Sequence, residues 1–218
     1  MQPNVHEQRG TWPGKNRLKV TGTGNLSVDP NLALIQMEVV TEELSLAQAQ
    51  QENARVMTSV MKALTKQGIL REGIQTAAYT IQPKYDYQDG EQLLKGYTVR
   101  NAINVKITEL KKAGQVIDTA VEAGVNRVTA IHFTVENPDI YYEQAVKFAL
   151  EDAQRKAVIM AGEMQLRLIP TPVWMEEQQS ESPGTSRLIA TASEPFTTPI
   201  ESGQLSIKSV VTVTFSYE

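Results

Sequence analysis

Residues 32–68 read LALIQMEVVTEELSLAQAQQENARVMTSVMKALTKQG, and this stretch decides the fold. Its first part alternates, with apolar side chains on one face at Ala33, Ile35, Met37 and Val39. Strict alternation of this kind predicts a β-strand with one buried face. Helical spacing follows at once, so the stretch predicts a strand–helix unit of a layered α+β fold.

The helix of this stretch has recognisable ends. Ser45 predicts its N-cap, and Gln48 three residues later completes a capping box. Gly68 stands where a left-handed C-cap belongs. The stripe between them has one polar member and comprises Leu46, Ala49, Asn53, Met57, Val60, Met61 and Leu64.

The chain beyond the first helix continues the same fold. Alternating runs at 74–85 and 96–107 predict a hairpin, because turn residues lie between them. Thr108 caps a second helix that ends at Gly124, and 128–135 reads as another strand. The order strand, helix, strand, strand, helix, strand predicts a ferredoxin-like split βαβ core, with both helices on one face of an antiparallel sheet.

Further elements flank this core. Residues 18–28 predict a strand, 137–162 an added helix with proline at its first turn, and 171–176 and 205–217 two added strands. Small side chains recur every fourth residue of the added helix, which indicates a close approach to its neighbour; they are Ala145, Ala149, Ala153, Ala157 and Ala161. Favourable i,i+4 pairs are expected on its wet face at Glu143–Lys147, Glu151–Arg155 and Asp152–Lys156.

The predicted organisation is a flexible arm at 1–16 and one domain at 17–218 with a long insertion at 179–204. The insertion is rich in Ser, Thr, Pro and Gly, yet it carries the apolar residues Leu188, Ile189, Phe196 and Ile200. Loop closure costs little more as loops lengthen. We therefore expect the insertion to contribute to an interface between copies; the alternative is that its apolar residues fold back on their own sheet.

Composition excludes several classes of protein. The 218 residues carry a net charge of −4, which argues against nucleic acid as a partner because phosphate binding needs a basic face. Cysteine is absent, so disulfides and cysteine–zinc sites are excluded. No stretch approaches the ~20 apolar residues of a membrane helix. We expect a cytoplasmic protein if the sequence is complete, and an exported envelope protein if a leader was removed.

The usual catalytic motifs are not found. Gly22-Thr23-Gly24 resembles part of a phosphate loop, but a strand follows instead of a helix, so a strand bulge accounts for the glycines better. His132 is the one histidine of the folded body, with His6 in the arm, and it is expected to face solvent or the second face of the sheet. The adjacent carboxylates Glu42-Glu43, Glu151-Asp152 and Glu176-Glu177 point in different directions and are expected to be solvated charges.

One cluster of aromatic residues flanks the predicted hairpin, at Tyr79, Tyr85, Tyr87 and Tyr97. It could line a small-molecule or hydrolytic site around 79–97. Cross-strand packing, with the tyrosyl hydroxyls in water, explains the same pattern. We expect no catalytic residue, no metal and no organic cofactor.

Several short runs together resemble the SIMPL-domain family, and the likeness extends from Leu18 to the end of the chain. These runs are Thr21-Gly22-Thr23-Gly24, Val28-Asp29-Pro30 with Ala33, Lys66-Gln67-Gly68-Ile69, Gln82-Pro83-Lys84-Tyr85-Asp86-Tyr87, Lys95-Gly96-Tyr97 and Ala123-Gly124-Val125-Asn126. Their order and spacing carry the resemblance more than any single run does.

The resemblance implies a self-assembling protein without an agreed catalytic motif. Bacterial members of the family look like exported envelope proteins, some linked to oxidative-stress defence, and some form ring-like or channel-like homo-oligomers. We therefore expect a non-enzymatic homo-oligomer, associated with the cell envelope or with stress defence. No catalytic residue is carried over from the family.

Overall fold

The computed structural model describes residues 16–88, 91–178 and 198–218. Within them the chain forms three α-helices and seven strands in two antiparallel sheets. In chain order these are β1 (Arg17–Val28), β2 (Leu32–Glu43), α1 (Leu46–Lys66), β3 (Ile74–Gln88), β4 (Glu91–Ile107), α2 (Ala113–Glu122), β5 (Arg127–Thr134), α3 (Pro138–Glu163), β6 (Leu168–Gln178) and β7 (Leu205–Tyr217). The predicted arm and most of the predicted insertion lie outside the described residues.

The described residues fall into two compact units. The larger unit is built on residues 27–138 and the described part of 183–206. The smaller unit is built on the described residues before 27, those of 139–182, and 207–218. That residues 17–218 behave as one domain stays a prediction.

A four-stranded sheet with the order β3-β4-β2-β5 forms the larger unit. This is the strand order of the split βαβ fold, so the predicted core is confirmed. Side chains of α1 and α2 pack on the same face of the sheet, into a cluster that includes Ile35, Met37, Leu64, Ile103 and Val116. The two helices thus lie on one face, as the sequence predicts.

The ends of the helices differ from the prediction in two details. Ser45 occupies the N-cap position of α1, but its side chain makes no capping hydrogen bond, so the capping box is not formed. A short 3₁₀ turn at Leu110–Lys112 precedes α2, which begins at Ala113 instead of just after Thr108. Gly68 and Gly124 have φ values of +92° and +119°, and these left-handed ends are as predicted.

A buried polar side chain ties α1 to the sheet. Asn53 is 0% exposed, and its Nδ2 donates hydrogen bonds to the carbonyl oxygens of Val39 and Val99 at 2.9 and 3.2 Å. Val39 belongs to β2 and Val99 to β4. The polar interruption in the helical stripe therefore sets where α1 crosses the two central strands.

The smaller unit packs α3 against a three-stranded sheet with the order β1-β7-β6. Here the strand and the helix approach backbone to backbone. A Cβ on Gly22 would lie 1.9 Å from the carbonyl oxygen of Ala149, and a Cβ on Gly24 1.9 Å from that of Ala145. The expected strand bulge is therefore not the reason for the two glycines. They leave room for the alanine row of α3, whose close approach to a neighbour is confirmed.

The glycine–alanine contact can be tested by adding one methyl group. We expect Gly24→Ala to lower the free energy of unfolding by about 3 kcal/mol or more, because backbone atoms and not a flexible side chain occupy the space. The matched control is Gly162→Ala in α3, where a Cβ meets nothing within 4 Å. That change should be neutral or add up to ~1 kcal/mol, since alanine favours helix. Urea unfolding midpoints that are equal for the two variants would contradict the contact.

Because Asn53 anchors α1 to the sheet, two asparagines of the larger unit should differ in how much their replacement lowers the free energy of unfolding. We expect Asn53→Ala to cost about 1–3 kcal/mol of unfolding free energy, because the amide and its two carbonyl contacts are buried. Asn104→Ala, on the exposed opposite face of the sheet, should change it by less than ~0.5 kcal/mol. Thermal unfolding measures the loss of stability in both variants. Equal losses would contradict the anchoring role of Asn53.

Candidate assembly surface on the hairpin

The hairpin of β3 and β4 extends beyond the rest of its sheet. The ladder between β2 and β4 ends at Glu43 and Tyr97, whereas β3 and β4 continue to pair as far as Gln88 and Glu91. Residues 84–88 and 91–96 therefore form a two-stranded ribbon, which we call the ribbon. A two-stranded ribbon alone is marginally stable in water. Its extension beyond the sheet, with exposed side chains, therefore needs an explanation other than its own stability.

One face of the hairpin is apolar, and no other part of the described chain covers it. Tyr79, Ile81, Tyr85 and Tyr87 alternate along β3, and Leu94 of β4 lies directly opposite Tyr85. All five are exposed, from 37% for Ile81 to 72% for Tyr87. They lie on the side of the sheet that carries the helices, since Tyr79 is opposite Asn101 and Ile81 opposite Val99, in register with buried Ile103. We call these five residues the tyrosine face.

The sequence predicted part of this face. Tyr79, Tyr85 and Tyr87 share one side of the hairpin, whereas Tyr97 is half-buried at its base. Ile81 and Leu94 were not singled out, although the period-2 alternation of β3 places Ile81 with the tyrosines. The rings of Tyr79, Tyr85 and Tyr87 are exposed to water. This agrees with the part of the packing interpretation that places the tyrosyl hydroxyls in water.

The base of the ribbon bends at Gly96. The ladder gains one residue between Gly96 and Leu94, and Gly96 has a φ of +140°. A Cβ there would lie 2.5 Å from the carbonyl oxygen of Glu43. Such a bulge with a glycine re-aims the strands that follow it. The hairpin therefore leaves the sheet at an angle fixed by backbone contact.

Two ion pairs lie at this bend. Lys84 donates a hydrogen bond to Glu42 of β2, and Lys95 lies 3.8 Å from Asp86 across the ribbon. The Lys84 ammonium holds the pKa of the Glu42 carboxyl below its usual value. Both pairs are exposed, so each contributes little to stability. The Lys84–Glu42 pair joins the ribbon to β2, whereas the Lys95–Asp86 pair links the two strands of the ribbon.

A shallow hollow of about 260 Å³ opens beside the bend, lined by Glu42, Glu43, Lys84, Lys95 and Tyr97 among others. It is the feature nearest to the predicted ligand site around 79–97. The hollow is small for a ligand pocket, and Glu42 and Lys84 neutralise each other. This geometry favours a docking surface on the hairpin over a binding or hydrolytic site.

The other residues considered for chemistry lie apart from the hairpin. His132 is exposed on β5 opposite Leu34, on the face of the sheet away from the helices, as expected. Within the described residues, no group of three or more His, Cys, Asp or Glu side chains is arranged to hold a metal ion. His6 of the arm lies outside the described residues.

The three pairs of adjacent carboxylates have separate roles. Glu177 accepts a hydrogen bond from the Tyr142 hydroxyl, and this contact raises the pKa of Tyr142. Asp152 is not the solvated charge that the sequence suggested, because its side chain is 13% exposed and accepts the backbone N–H of Thr23 at 3.0 Å.

Asp152 caps the free edge of β1 together with Lys156. The Lys156 ammonium lies 2.6 Å from Asp152 and donates to the carbonyl oxygen of Thr21 at 3.0 Å. Arg155 also pairs with Asp152, and not with Glu151 as predicted. The hydrogen bond from Lys156, followed by that from the Thr23 amide, lowers the pKa of Asp152 from 3.8 to about 2.

The described end of the insertion is held by its own chain. Ile200 packs against the core of the larger unit, and Thr198 donates hydrogen bonds to Asp118 of α2 through its N–H and its hydroxyl. For Ile200 the structure thus agrees with the alternative, in which the insertion folds back on its own sheet. Leu188, Ile189 and Phe196 lie outside the described residues.

An α+β fold with a ferredoxin-like core and a projecting apolar hairpin defines the class of this protein. Residues 18–215 match the SIMPL family, described as a protein of unknown function (DUF541), and the chain belongs to this family. It is 29% identical to the 26 kDa periplasmic immunogenic protein of Brucella melitensis, over 91% of this chain and 84% of that protein. It is 28% identical to the uncharacterized protein YggE of Escherichia coli K12, over 75% of this chain and 66% of that protein.

Asp152 and Lys156, with their hydrogen bonds to β1, form what we call the Asp152–Lys156 clamp. This clamp makes the stability of the protein depend on pH in the acid range. Because the folded pKa lies below the value of 3.8, the contribution of Asp152 is full above about pH 4 and is lost as the pH falls from 3.8 towards 2. We expect Asp152→Asn to lower the thermal midpoint at pH 7 and to differ progressively less from the parent below pH 4. The exposed neighbour Glu151 supplies the control, Glu151→Gln. A difference between parent and Asp152→Asn that stays constant from pH 7 to pH 2 would exclude this role.

Proposed function

We propose that this chain is a non-enzymatic, self-assembling protein of the bacterial envelope, and that its copies meet through the tyrosine face. The observation that carries the proposal is the exposure of three tyrosines, an isoleucine and a leucine on one side of a projecting hairpin. Exposed apolar patches on a soluble protein mark interaction sites, and tyrosine is enriched at such interfaces.

A second copy suits the tyrosine face because the ribbon is balanced in charge. Lys84, Asp86, Glu91 and Lys95 supply both signs within a few residues of the apolar side chains. Two ribbons can therefore approach without net repulsion, with apolar side chains in the middle and charges at the rim. Most soluble oligomers are built from identical chains, and self-complementary patches of this kind close such assemblies.

The apolar area of the tyrosine face limits how strong an association through it can be. Full burial of a large apolar side chain contributes about 1.5–3 kcal/mol. The five residues of the tyrosine face are already partly buried, so each contributes less than that on docking. Their sum must offset the cost of association, which is about 4–15 kcal/mol. A single pair of faces thus supports a weak dimer, and repeated contacts in a closed assembly would strengthen it.

The envelope assignment rests on the relatives. The Brucella protein is named periplasmic, and it aligns with 91% of this chain. In the described residues, no helix has the length and apolar character needed to cross a membrane. Fractionation of the native organism tests the assignment: recovery of the protein in the periplasmic fraction supports export, and recovery with cytoplasmic markers opposes it.

The absence of enzymatic activity and the link to stress defence are parts of the same proposal. The scattered positions of His132 and of the paired carboxylates support a structural role, because catalysis requires such groups to converge. Stress defence follows from the family resemblance. If a strain that lacks the gene survives peroxide as well as its parent, the link to stress defence is wrong.

Assembly through the tyrosine face is tested by two neighbouring leucines. Leu94 lies on the tyrosine face, and Leu93 lies on the opposite side of the same strand, exposed to a similar degree. We expect Leu94→Ser combined with Tyr85→Ser to raise the dissociation constant of the oligomer roughly 10- to 100-fold, because both side chains lose apolar contact. Leu93→Ser should leave it within about threefold.

Sedimentation or light scattering across a concentration series measures both variants. An intact chain that stays monomeric at micromolar concentration would contradict self-assembly. An assembly weakened equally by Leu93→Ser would retain self-assembly but exclude the tyrosine face. Circular dichroism confirms that each variant keeps its fold.

A further inference from the structure

An open groove runs along one flank of α1, with a volume of about 680 Å³. We call it the α1 groove. Its lining includes Met57, Met61, Lys62 and Lys66 of α1, together with Arg71 and with Asn101 of β4. The volume lies in the range of small-molecule sites, and all of the lining belongs to the larger unit.

The charges of the α1 groove are all positive. Lys62, Lys66 and Arg71 line it, and among the described residues no carboxylate does. Within the described residues none of the three forms an ion pair, whereas Lys84, Lys106 and Lys112 of the same unit pair with glutamates. Lys66 in the last turn of α1 also complements the helix dipole. That effect accounts for one cation, and Lys62 and Arg71 remain to be explained.

The lining changes character along the helix. From Ala54 to Met61, about 10 Å of helix, the groove presents alanine, threonine and two methionines and no charge. From Lys62 onward it presents three cations. Methionine side chains are flexible and adapt to apolar ligands of irregular shape. The α1 groove is therefore amphipathic from one end to the other.

We propose that the α1 groove binds a single-chain anionic amphiphile of the fatty-acid class. The carboxylate lies among Lys62, Lys66 and Arg71, where charge-assisted hydrogen bonds are available. The alkyl chain lies along α1 over Met57 and Met61. An acidic helix from a protein partner fits less well, because it would need cations along the whole groove. This inference is independent of self-assembly.

Isothermal titration calorimetry with sodium tetradecanoate, below its critical micelle concentration, tests the proposal on the intact chain. We expect saturable binding near one molecule per chain, and dodecanoate should bind up to about 15-fold more weakly because it loses two methylenes. Tetradecanol should bind at least tenfold more weakly, since it has the tail without the charge. Acetate and inorganic phosphate, which have the charge without the tail, should not bind measurably.

Two variants locate the site. Lys62→Gln/Lys66→Gln/Arg71→Gln should weaken tetradecanoate binding at least tenfold. The control Lys111→Gln/Lys147→Gln/Lys208→Gln removes the same charge from exposed positions outside the groove and should leave binding within twofold. Ala54→Trp fills the apolar end at an exposed helix position and should also weaken binding.

Several results would overturn the inference. They are no saturable binding of tetradecanoate, equal binding by parent and groove variants, and equal binding of tetradecanol. Binding only to phosphatidylglycerol vesicles would assign the cations to a membrane surface instead of a monomeric ligand. Tighter binding of a polyglutamate peptide that displaces tetradecanoate would assign the groove to an acidic protein partner.

Discussion

The hydrogen bonds from the Asn53 amide to the carbonyl oxygens of Val39 and Val99 determine where α1 lies on the sheet. A helix on a sheet can slide over an apolar surface at little cost, but a buried amide must keep its partners. Those partners belong to β2 and β4, so α1 is held over the two central strands. β3 consequently lies at the edge of the sheet, and no helix of the described residues lies above it.

Both candidate surfaces follow from this placement. On the uncovered β3 the alternating residues Tyr79 and Ile81 stay exposed on the helical side, and they continue into the ribbon as the tyrosine face. One flank of α1 forms the wall of the α1 groove, together with Arg71 and with Asn101 of β4. A single anchoring side chain thus leaves two surfaces free, one apolar on the strand and one cationic on the helix. The two surfaces are neighbours, because Asn101 of the groove lies directly opposite Tyr79 of the tyrosine face.

Local periodicity was sufficient for the larger unit, because each of its elements repeats with one clear period between recognisable ends. The strand order followed from the order of elements, since a split βαβ unit has few alternative topologies. Gly22 and Gly24 were misinterpreted because the cause of their small size, the carbonyl oxygens of α3, lies more than 120 residues away. Lys62 and Lys66 were missed for a similar reason. On an isolated helix they are ordinary solvated charges, and only the fold shows that no carboxylate of the described residues lines the groove beside them.

The two units are stabilised by different kinds of contact. The core of the larger unit is built from large aliphatic side chains, together with Phe133. In the smaller unit, α3 contributes alanines to the core and meets glycines of β1, so the helix and the strand bury little side-chain surface against each other. Close packing of backbones depends on exact distance, and the Asp152–Lys156 clamp on the edge of β1 holds that distance with charge. Apolar burial does not titrate, whereas a carboxylate does. Acid therefore acts on the smaller unit through Asp152, and in the larger unit it weakens the Lys84–Glu42 pair at the base of the hairpin.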